Sequence, residues 1–569
     1  MVKPLDCEGA AKAVSMEDPL VRVIAARRYA KGDQLPPSAR EGVTNASADL
    51  CMIKLIVGPG NPGPRDAPST SDGIGIEIWL PAEATWARRL HFLGGGGFAG
   101  DPDIKAANRV NALAAWIAGT EGAVTAVTDT GHEAHDETSP QGDHNLNGAF
   151  AWKPDGTFNA ALWRDFAVRG IHEMVVRTKA LAVAHYGTKN FKAYWDGCST
   201  GGRQGLKLVQ AYPDDLDAVV VGAPAINWTR FITSELYPQT VMLRDLPEPI
   251  SKAKLDAVSA AAVSACDSSV TGKHDGFISD PDHCRYDPTR DRAVLCPSDG
   301  GTGAAGTCLS QLEALAVNKF WYGQTADGSA PRPEVDNGSA TTLKRGRLWY
   351  GIPRDAVLAL AGSKDGRPDA FSISTAIVSY NLGDPLLMDP SPAIGASWTK
   401  LGYADLRRAQ ENGVAKQKLF DGINTDDPNI AAYRARGGKI LMYHGLADTV
   451  ITYQGSRRYY RDVSRALGGT KSVRSFFRYY EIPGMAHCGG TNANGLAGIS
   501  PPANAPTPAP GQMYQQLVRW VEDGQVPEQI ELSTADKRDH RPICPFPERI
   551  VYLDKGSHDG GNYICRVGK

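Results

Sequence analysis

The chain has 569 residues and a net charge of −2, so it has no excess of positive charge to attract a polyanion, and nucleic acid is not expected as a partner. No apolar run reaches the ~20 residues that span a bilayer, so no membrane association is expected either. An apolar fraction of 42% with 61 glycines and 38 prolines predicts a loop-rich globular protein of two domains, or of one domain with a large insertion.

The first predicted element that bears on chemistry is a glycine-rich loop. The run RRLHFL is typical of a strand, and Gly94 to Gly97 follow it directly. Because glycine backbone approaches a negatively charged oxygen closely, we expect the N–H groups of Gly96 and Gly97 to belong to an oxyanion hole. A phosphate-binding loop and a flexible turn are the alternatives, although no Gly-Lys-Ser/Thr sequence follows the glycines.

A strand, a sharp turn and a helix are predicted around Gly197-Cys198-Ser199-Thr200-Gly201, which matches G-x-S-x-G. In α/β hydrolases this pattern exposes a nucleophilic serine at the turn. We therefore predict Ser199 as the nucleophile and the Thr200 N–H as the second oxyanion donor. A glycine-rich turn with a solvated serine is the alternative from the pentapeptide alone, so the interpretation depends on residues further along the chain.

Two later strands end in loops that carry an acid and a histidine. The run from 439 to 443 predicts a buried strand, and Asp448 lies in the loop after it. The run from 475 to 482 predicts another strand, and His487 follows it. Each residue alone is also typical of a turn cap or a core histidine, but the order Ser, Asp, His is that of α/β hydrolases. We predict Ser199, Asp448 and His487 as a catalytic triad on an α/β fold.

The chain contains ten cysteines and no CxxC pair, which argues against a zinc ribbon or a thioredoxin-like motif. An even number of cysteines predicts disulfides and a secreted or periplasmic protein whose signal peptide has been removed, with buried thiols in a cytosolic protein as the alternative. Neighbours in sequence suggest the pairs Cys7–Cys51, Cys266–Cys284, Cys296–Cys308 and Cys544–Cys565. Spacing alone does not determine which cysteines pair, and these four pairs leave Cys198 and Cys488 without an assigned partner.

Cys198-Ser199, Asp448 and His487-Cys488 together resemble the tannase and feruloyl esterase family, which includes the hydrolase of mono(2-hydroxyethyl) terephthalate. FLGGGGFAG, TDTGH, YHGLAD and RPICPFPERIVY are further matches, so the resemblance covers nearly the whole chain. The hallmark of the family is a disulfide between the cysteines beside the nucleophile and the base. The resemblance therefore implies a Cys198–Cys488 bond, which would hold Ser199 and His487 close together.

The resemblance also implies an α/β-hydrolase fold with a lid domain inserted between nucleophile and acid. We expect the catalytic domain to comprise residues 1–224 and 427–569 and the lid to comprise residues 225–426. The lid of the family holds a structural calcium ion, but the corresponding loop here keeps Asp267 and Asp275, lacks a middle acidic residue and gains a lysine. Because calcium prefers several oxygen ligands, we expect weakened calcium binding, and no cofactor is expected for catalysis.

The function implied by the resemblance is that of a serine carboxylesterase acting on esters of phenolic aromatic acids. GCSTGGRQ looks most like the feruloyl esterase branch, so the expected substrate is a small hydroxycinnamoyl ester, free or attached to a plant polysaccharide or polyphenol. A galloyl ester or mono(2-hydroxyethyl) terephthalate is the alternative substrate. A transacylase and a catalytically silent binding protein are alternatives of other classes. Three lid aromatics are predicted to stack on the acyl ring, with the lid core as their alternative place: Trp349, Phe371 and Trp398.

Overall fold

The computed structural model describes residues 3–38, 43–133, 146, 148–268, 270–272, 274–364, 366–389, 396–489, 505–534, 536–553 and 560–567. The chain divides into two compact units. Unit 1 comprises Met1–Val221 and Gln417–Ile440, and unit 2 comprises Gly222–Lys416 and Leu441–Lys569. Among the helices of these described ranges, none has the length and apolar character needed to cross a membrane.

Strands and helices alternate through much of the chain. The strands are β1 (Val21–Tyr29), β2 (Leu50–Val57), β3 (Ile74–Pro81), β4 (Arg89–Leu93), β5 (Val124–Thr128), β6 (Lys192–Cys198), β7 (Ala218–Gly222), β8 (Ser363–Lys364), β9 (Arg367–Pro368), β10 (Lys439–Gly445), β11 (Phe477–Ile482), β12 (Ile530–Ser533), β13 (His540–Ile543), β14 (Glu548–Tyr552) and β15 (Tyr563–Val567). The helices are α1 (Cys7–Glu17), α2 (Ala112–Glu121), α3 (Ala160–Arg164), α4 (Gly170–Tyr186), α5 (Thr200–Ala211), α6 (Trp228–Glu235), α7 (Tyr237–Asp245), α8 (Lys252–Cys266), α9 (Gln311–Tyr322), α10 (Ser372–Leu382), α11 (Tyr403–Ala415), α12 (Ala431–Ala435), α13 (Gln454–Ala466), α14 (Thr470–Val473) and α15 (Gln512–Glu522).

The sheet of unit 1 has the strand order β1-β2-β3-β5-β4-β6-β7. The pairs β1–β2, β2–β3 and β3–β5 are antiparallel, whereas β4 lies parallel to β5 and to β6. Every residue of β2, β3 and β5 is buried, as the near-continuous apolar run LCMIKLIV in β2 predicts for a sheet covered on both faces. Helices α2, α4 and α5 pack against β3, β5 and β6. This partly parallel sheet with packed helices confirms the predicted α/β class.

Unit 2 has an apolar core built from helices α7 to α11 and the segments between them, from Leu236 to Ala409. Strands β10 and β11 are neighbours in the sheet, and their presence confirms the strands predicted before the acid and the histidine. The loops after these strands are bonded to each other, because the Leu446 N–H donates to the Ile482 carbonyl (2.9 Å) and the Ala447 N–H donates to the Met485 carbonyl (3.0 Å).

All ten cysteines are disulfide-bonded. The structure contains the four pairs that neighbours in sequence suggested: Cys7–Cys51 in unit 1, and Cys266–Cys284, Cys296–Cys308 and Cys544–Cys565 in unit 2. Cys198 of unit 1 and Cys488 of unit 2 are also half-cystines. The predicted oxidised state is therefore present beside both Ser199 and His487.

Candidate active site

Ser199 is the single residue between strand β6 and helix α5. Its backbone has φ 61° and ψ −126°, a conformation that residues other than glycine rarely adopt. Such strain persists where the surrounding structure enforces it, and it is common at functional sites. The carbonyl of Ser199 accepts the Arg203 N–H (3.0 Å), so the first turn of α5 begins directly at the serine. The predicted strand, sharp turn and helix are all present.

Three glycines let the loop after β4 lie against this turn. A Cβ atom on Gly94 would lie 2.5 Å from the Gly201 Cα, and one on Gly197 would lie 2.6 Å from the Gly201 carbonyl carbon. Neither distance is possible for a real side chain, so the close approach of these backbones requires glycine. The Gly94 N–H also donates to the Asp196 carbonyl (2.9 Å), which joins the loop to the end of β6.

The predicted oxyanion donors lie together in unit 1. The Thr200 hydroxyl donates to the Gly97 carbonyl (2.5 Å), and the Gly95 N–H donates to Gln204 Oε1 (3.0 Å). In the part of the chain that the structure describes, the N–H groups of Gly96, Gly97 and Thr200 donate to no protein acceptor. These three amides are therefore available to an oxygen that carries developing negative charge.

Asp448 and His487 form a hydrogen-bonded pair in unit 2. Asp448 Oδ2 lies 2.7 Å from His487 Nδ1, and Asp448 Oδ1 accepts the N–H groups of Val450 and Ile451, both at 2.9 Å. Burial by itself would raise the pKa of Asp448, but the charges and hydrogen bonds of His487 and His444 hold it below its usual range. An ionised Asp448 places the hydrogen of the imidazole on Nδ1, which leaves His487 Nε2 as a proton acceptor.

A sequence model of the family described as tannase and feruloyl esterase matches residues 57–376 and 387–566. The chain belongs to this family. The prediction of a carboxylic ester hydrolase is therefore confirmed.

Relatives of this family are similar over nearly the whole chain. A probable feruloyl esterase of Arthroderma benhamiae is 29% identical over 96% of this chain and 90% of its own length. Feruloyl esterase B of Aspergillus niger is 30% identical over 91% of this chain and 87% of its own length.

Two solved structures have the same fold. Feruloyl esterase B from Aspergillus oryzae has a TM-score of 0.73 at 24% identity and covers 99% of this chain and 100% of its own chain. Tannin acyl hydrolase from Aspergillus niger has a TM-score of 0.71 at 20% identity and covers 98% of this chain and 94% of its own chain.

A second histidine of this tannase-family chain, His444, contacts the candidate acid and was not assigned a role from the sequence. His444 Nε2 lies 2.7 Å from the Ile451 carbonyl and 3.3 Å from Asp448 Oδ2, while its Nδ1 lies 2.8 Å from the Ser456 hydroxyl. The Nε2–H of His444 thus lies within reach of two acceptors in the loop that carries Asp448, the Ile451 carbonyl and Asp448 Oδ2. The sequence does contain a signal for this contact, because His444 is the histidine of the YHGLAD match and lies four residues before Asp448.

The three predicted lid aromatics have different environments. Trp398 is 1% exposed and belongs to the apolar core of unit 2, and Trp349 is 2% exposed. Phe371 is partly exposed, directly before α10. A role of these residues in substrate binding stays a prediction.

The loop predicted to bind calcium has its carboxylates occupied by protein donors. All four carboxylate oxygens of Asp267 and Asp275 accept hydrogen bonds. The donors are His274 Nδ1 (2.7 Å) and the Gly276 N–H (3.0 Å) to Asp267, and Thr271 Oγ1 (3.0 Å) and Arg541 Nη2 (2.9 Å) to Asp275. The described residues contain no group of three or more His, Cys, Asp or Glu side chains arranged to hold a metal ion. These two carboxylates alone do not supply the six to eight oxygen ligands that calcium takes, and weakened calcium binding by this loop stays a prediction.

Arg541 supplies positive charge to this loop. The side chains of Arg541 and Asp275 are 8% and 3% exposed. Burial by itself would lower the pKa of Arg541, but the hydrogen bond and charge of Asp275 raise it overall, so the guanidinium stays charged.

Replacement of Gly94 is expected to disturb the oxyanion loop. In Gly94→Ala the new Cβ would overlap the Gly201 backbone, so the loop must shift, and kcat for ester hydrolysis should fall by about 10- to 100-fold. Gly402→Ala is the matched control, because its Cβ would meet no atom closer than 3.8 Å, and it should keep wild-type kcat. Wild-type kcat in Gly94→Ala would contradict the role of this close approach.

Removal of Arg541 is expected to destabilise the protein, whereas removal of metal ions is not. Arg541→Met leaves Asp275 buried without its cation and should lower the free energy of unfolding by about 3–5 kcal/mol in denaturant titrations. Arg407→Met, which removes an exposed pair with Glu411, is the control and should cost no more than about 1 kcal/mol.

EDTA treatment should leave the Tm of wild type unchanged. A Tm that falls with EDTA and recovers with calcium would refute the expectation.

Proposed function

We propose that this protein is a serine carboxylesterase that hydrolyses esters of hydroxycinnamic acids, with Ser199 as nucleophile, His487 as general base and Asp448 as the acid that orients the imidazole. The observation that carries the proposal is the 2.7 Å contact of Asp448 and His487 at the end of two neighbouring strands. The strained turn at Ser199 and its adjacent free amides support the same mechanism.

The reaction would proceed in two steps. His487 Nε2 takes the hydroxyl proton of Ser199 as Oγ attacks the ester carbonyl carbon, and the N–H groups of Gly97 and Thr200 stabilise the oxyanion. His487 then gives that proton to the departing alcohol, which leaves an acyl group on Ser199. In the second step His487 takes a proton from water, the hydroxide attacks the acyl carbon, and Ser199 regains its proton as the acid departs. The buried negative charge of Asp448 stabilises the imidazolium in both steps.

The second part of the proposal concerns architecture. We propose that Cys198 pairs with Cys488, that residues 225–426 form a lid, and that the catalytic domain has an α/β-hydrolase fold. The pairing is supported by the oxidised state of both residues and by the pairing of the other eight cysteines with one another. The lid is supported by an apolar core confined to residues between 236 and 409.

The substrate and the location follow from the relatives and from the oxidised cysteines. Relatives named feruloyl esterase at about 30% identity favour a feruloyl ester, and the fold shared with tannin acyl hydrolase makes a galloyl ester the second candidate. Attachment of the acyl group to a plant polysaccharide or polyphenol would suit such an enzyme. Ten disulfide-bonded cysteines favour secretion into an oxidising compartment.

Turnover of three esters by wild type and by Ser199→Ala tests the function. We expect wild type to show its highest kcat/KM on methyl ferulate, compared with methyl gallate and mono(2-hydroxyethyl) terephthalate. Ser199→Ala should lower kcat by about 10⁴-fold or more, because the hydroxyl is used only in the chemical steps.

Ser15→Ala, which removes an exposed hydroxyl of α1, is the control and should be fully active. Activity of Ser199→Ala within tenfold of wild type would remove the nucleophile assignment. A preference for methyl gallate would replace the feruloyl proposal with the galloyl alternative.

A double variant tests the cysteine pair. Cys198→Ala with Cys488→Ala should lower kcat by about 100-fold, because a shift of about 1 Å between nucleophile and base is enough for such a loss. The control is Cys296→Ala with Cys308→Ala, which opens a pair separated by 12 residues and should lower stability by about 3 kcal/mol while leaving kcat unchanged. Peptide mapping of non-reduced protein that finds Cys198 joined to another cysteine would exclude the pair.

A further inference from the structure

A small cavity in unit 2 is lined by polar side chains that lack partners. Its volume is about 20 Å³, and its walls include Glu235, Trp349 and Thr452. In the described residues, both carboxylate oxygens of Glu235, the Trp349 Nε1 and the Thr452 Oγ1 make no hydrogen bond to protein. The three side chains belong to residues that are 5%, 2% and 7% exposed. Four buried polar atoms without a protein partner therefore belong to residues that line one cavity.

The size and chemistry of this space fit water. A buried polar atom without a partner costs about 1–3 kcal/mol, and native proteins satisfy most such atoms with protein groups or ordered water. A cavity of about 20 Å³ holds one or at most two water molecules, since each needs roughly 10–15 Å³ on this measure. The indole N–H of Trp349 donates, the carboxyl of Glu235 accepts, and the Thr452 hydroxyl does both, so a bound water would find two to four partners.

The surroundings of Glu235 favour its uncharged form. None of the residues that line the cavity is cationic, and its titratable members besides Glu235 are the phenols of Tyr237 and Tyr350. Burial raises the pKa of Glu235 well above its usual range, and the negative charge of Asp448 raises it further. A protonated carboxyl donates one hydrogen bond and accepts others, so it can bind water in either direction.

The same cavity borders the loop that holds the candidate acid. Thr449, Val450 and Thr452 are among the residues that line it, and the N–H of Val450 donates to Asp448 Oδ1 (2.9 Å). Thr449 Oγ1 also donates to the Val357 carbonyl (2.5 Å), so the loop is fixed at its beginning. Contacts within the cavity would fix it at Thr452.

We propose that the cavity is a hydration site in which protonated Glu235, Trp349 Nε1 and Thr452 Oγ1 bind one or two water molecules, and that Glu235 thereby positions the loop 449–452 around Asp448. This inference rests on the proposed role of Asp448. Glu235 does not touch the reacting atoms, so it is a positioning residue. Its effect should therefore appear in kcat, which depends on the orientation of His487, more than in KM.

Two substitutions of Glu235 test the role. Glu235→Gln keeps a neutral group that donates and accepts, whereas Glu235→Leu has a similar size and neither donates nor accepts. We expect kcat of Glu235→Leu to be about tenfold or more below that of Glu235→Gln, with KM within about threefold. Ser464→Ala, which removes another buried hydroxyl without a described partner, is the control and should keep wild-type kcat.

The pH dependence of stability tests whether the carboxyl of Glu235 is neutral in the folded protein. Above the ordinary pKa of 4.5, the unfolded chain loses the Glu235 proton while the folded protein keeps it, so wild type loses stability as the pH rises. Glutamine does not titrate. The Tm advantage of Glu235→Gln over wild type should therefore be larger at pH 8 than at pH 5, and an equal difference at both pH values would overturn the neutral carboxyl.

A crystal structure of wild type completes the test and does not depend on the folding of any variant. An ordered water within hydrogen-bond distance of Glu235 and Trp349 Nε1 is expected, and a dry cavity would overturn the proposal. Equal kcat in Glu235→Leu and Glu235→Gln would overturn the positioning role. Failure of the triad itself is distinguishable, because it would appear as retained activity in Ser199→Ala.

Discussion

The structure of the acid loop depends on the burial of one negative charge. Asp448 is fully buried, and a carboxylate in that position is stable only when fixed donors replace its hydration shell. The backbone of Val450 and Ile451 supplies two donors, and the imidazoles of His487 and His444 supply the others. The turn after β10 and the orientation of both histidines serve to stabilise this charge, which also adds to the effect of burial in raising the pKa of nearby Glu235. The contacts that stabilise the buried carboxylate are therefore also the contacts that orient the candidate acid and His487.

Features encoded by local sequence were predictable. The turn at Ser199, the strands before Asp448 and His487 and the glycine loop all lie where short patterns placed them, because each depends on residues within about ten positions. Four disulfides join cysteines that are neighbours in the order of cysteines along the chain, at separations of 12 to 44 residues, and were predictable from that order. The α/β class followed from these elements, but the antiparallel pairing of β1, β2 and β3 did not, since strand pairing is decided by long-range packing.

Contacts between distant segments were not predictable. Asp275 and Arg541 are 266 residues apart, and the local sequence around either residue does not predict their contact. The sequence around Asp267 and Asp275 predicts a weakened calcium loop but does not indicate which protein groups donate hydrogen bonds to these carboxylates. Glu235 was missed for a related reason. A single glutamate at the end of a helix is usually solvated, and only tertiary packing reveals that this one is buried.

The interleaving of the two units has a consequence for biosynthesis. Unit 1 needs the segment Gln417–Ile440, which the ribosome makes only after the whole stretch Gly222–Lys416 of unit 2. Cys7 and Cys51 are both available early, but Cys198 must wait for Cys488 if these two residues pair. Cys266 and Cys284 emerge during that wait and are competing partners. Production of active enzyme should therefore depend on a disulfide isomerase far more strongly than the number of cysteines alone suggests.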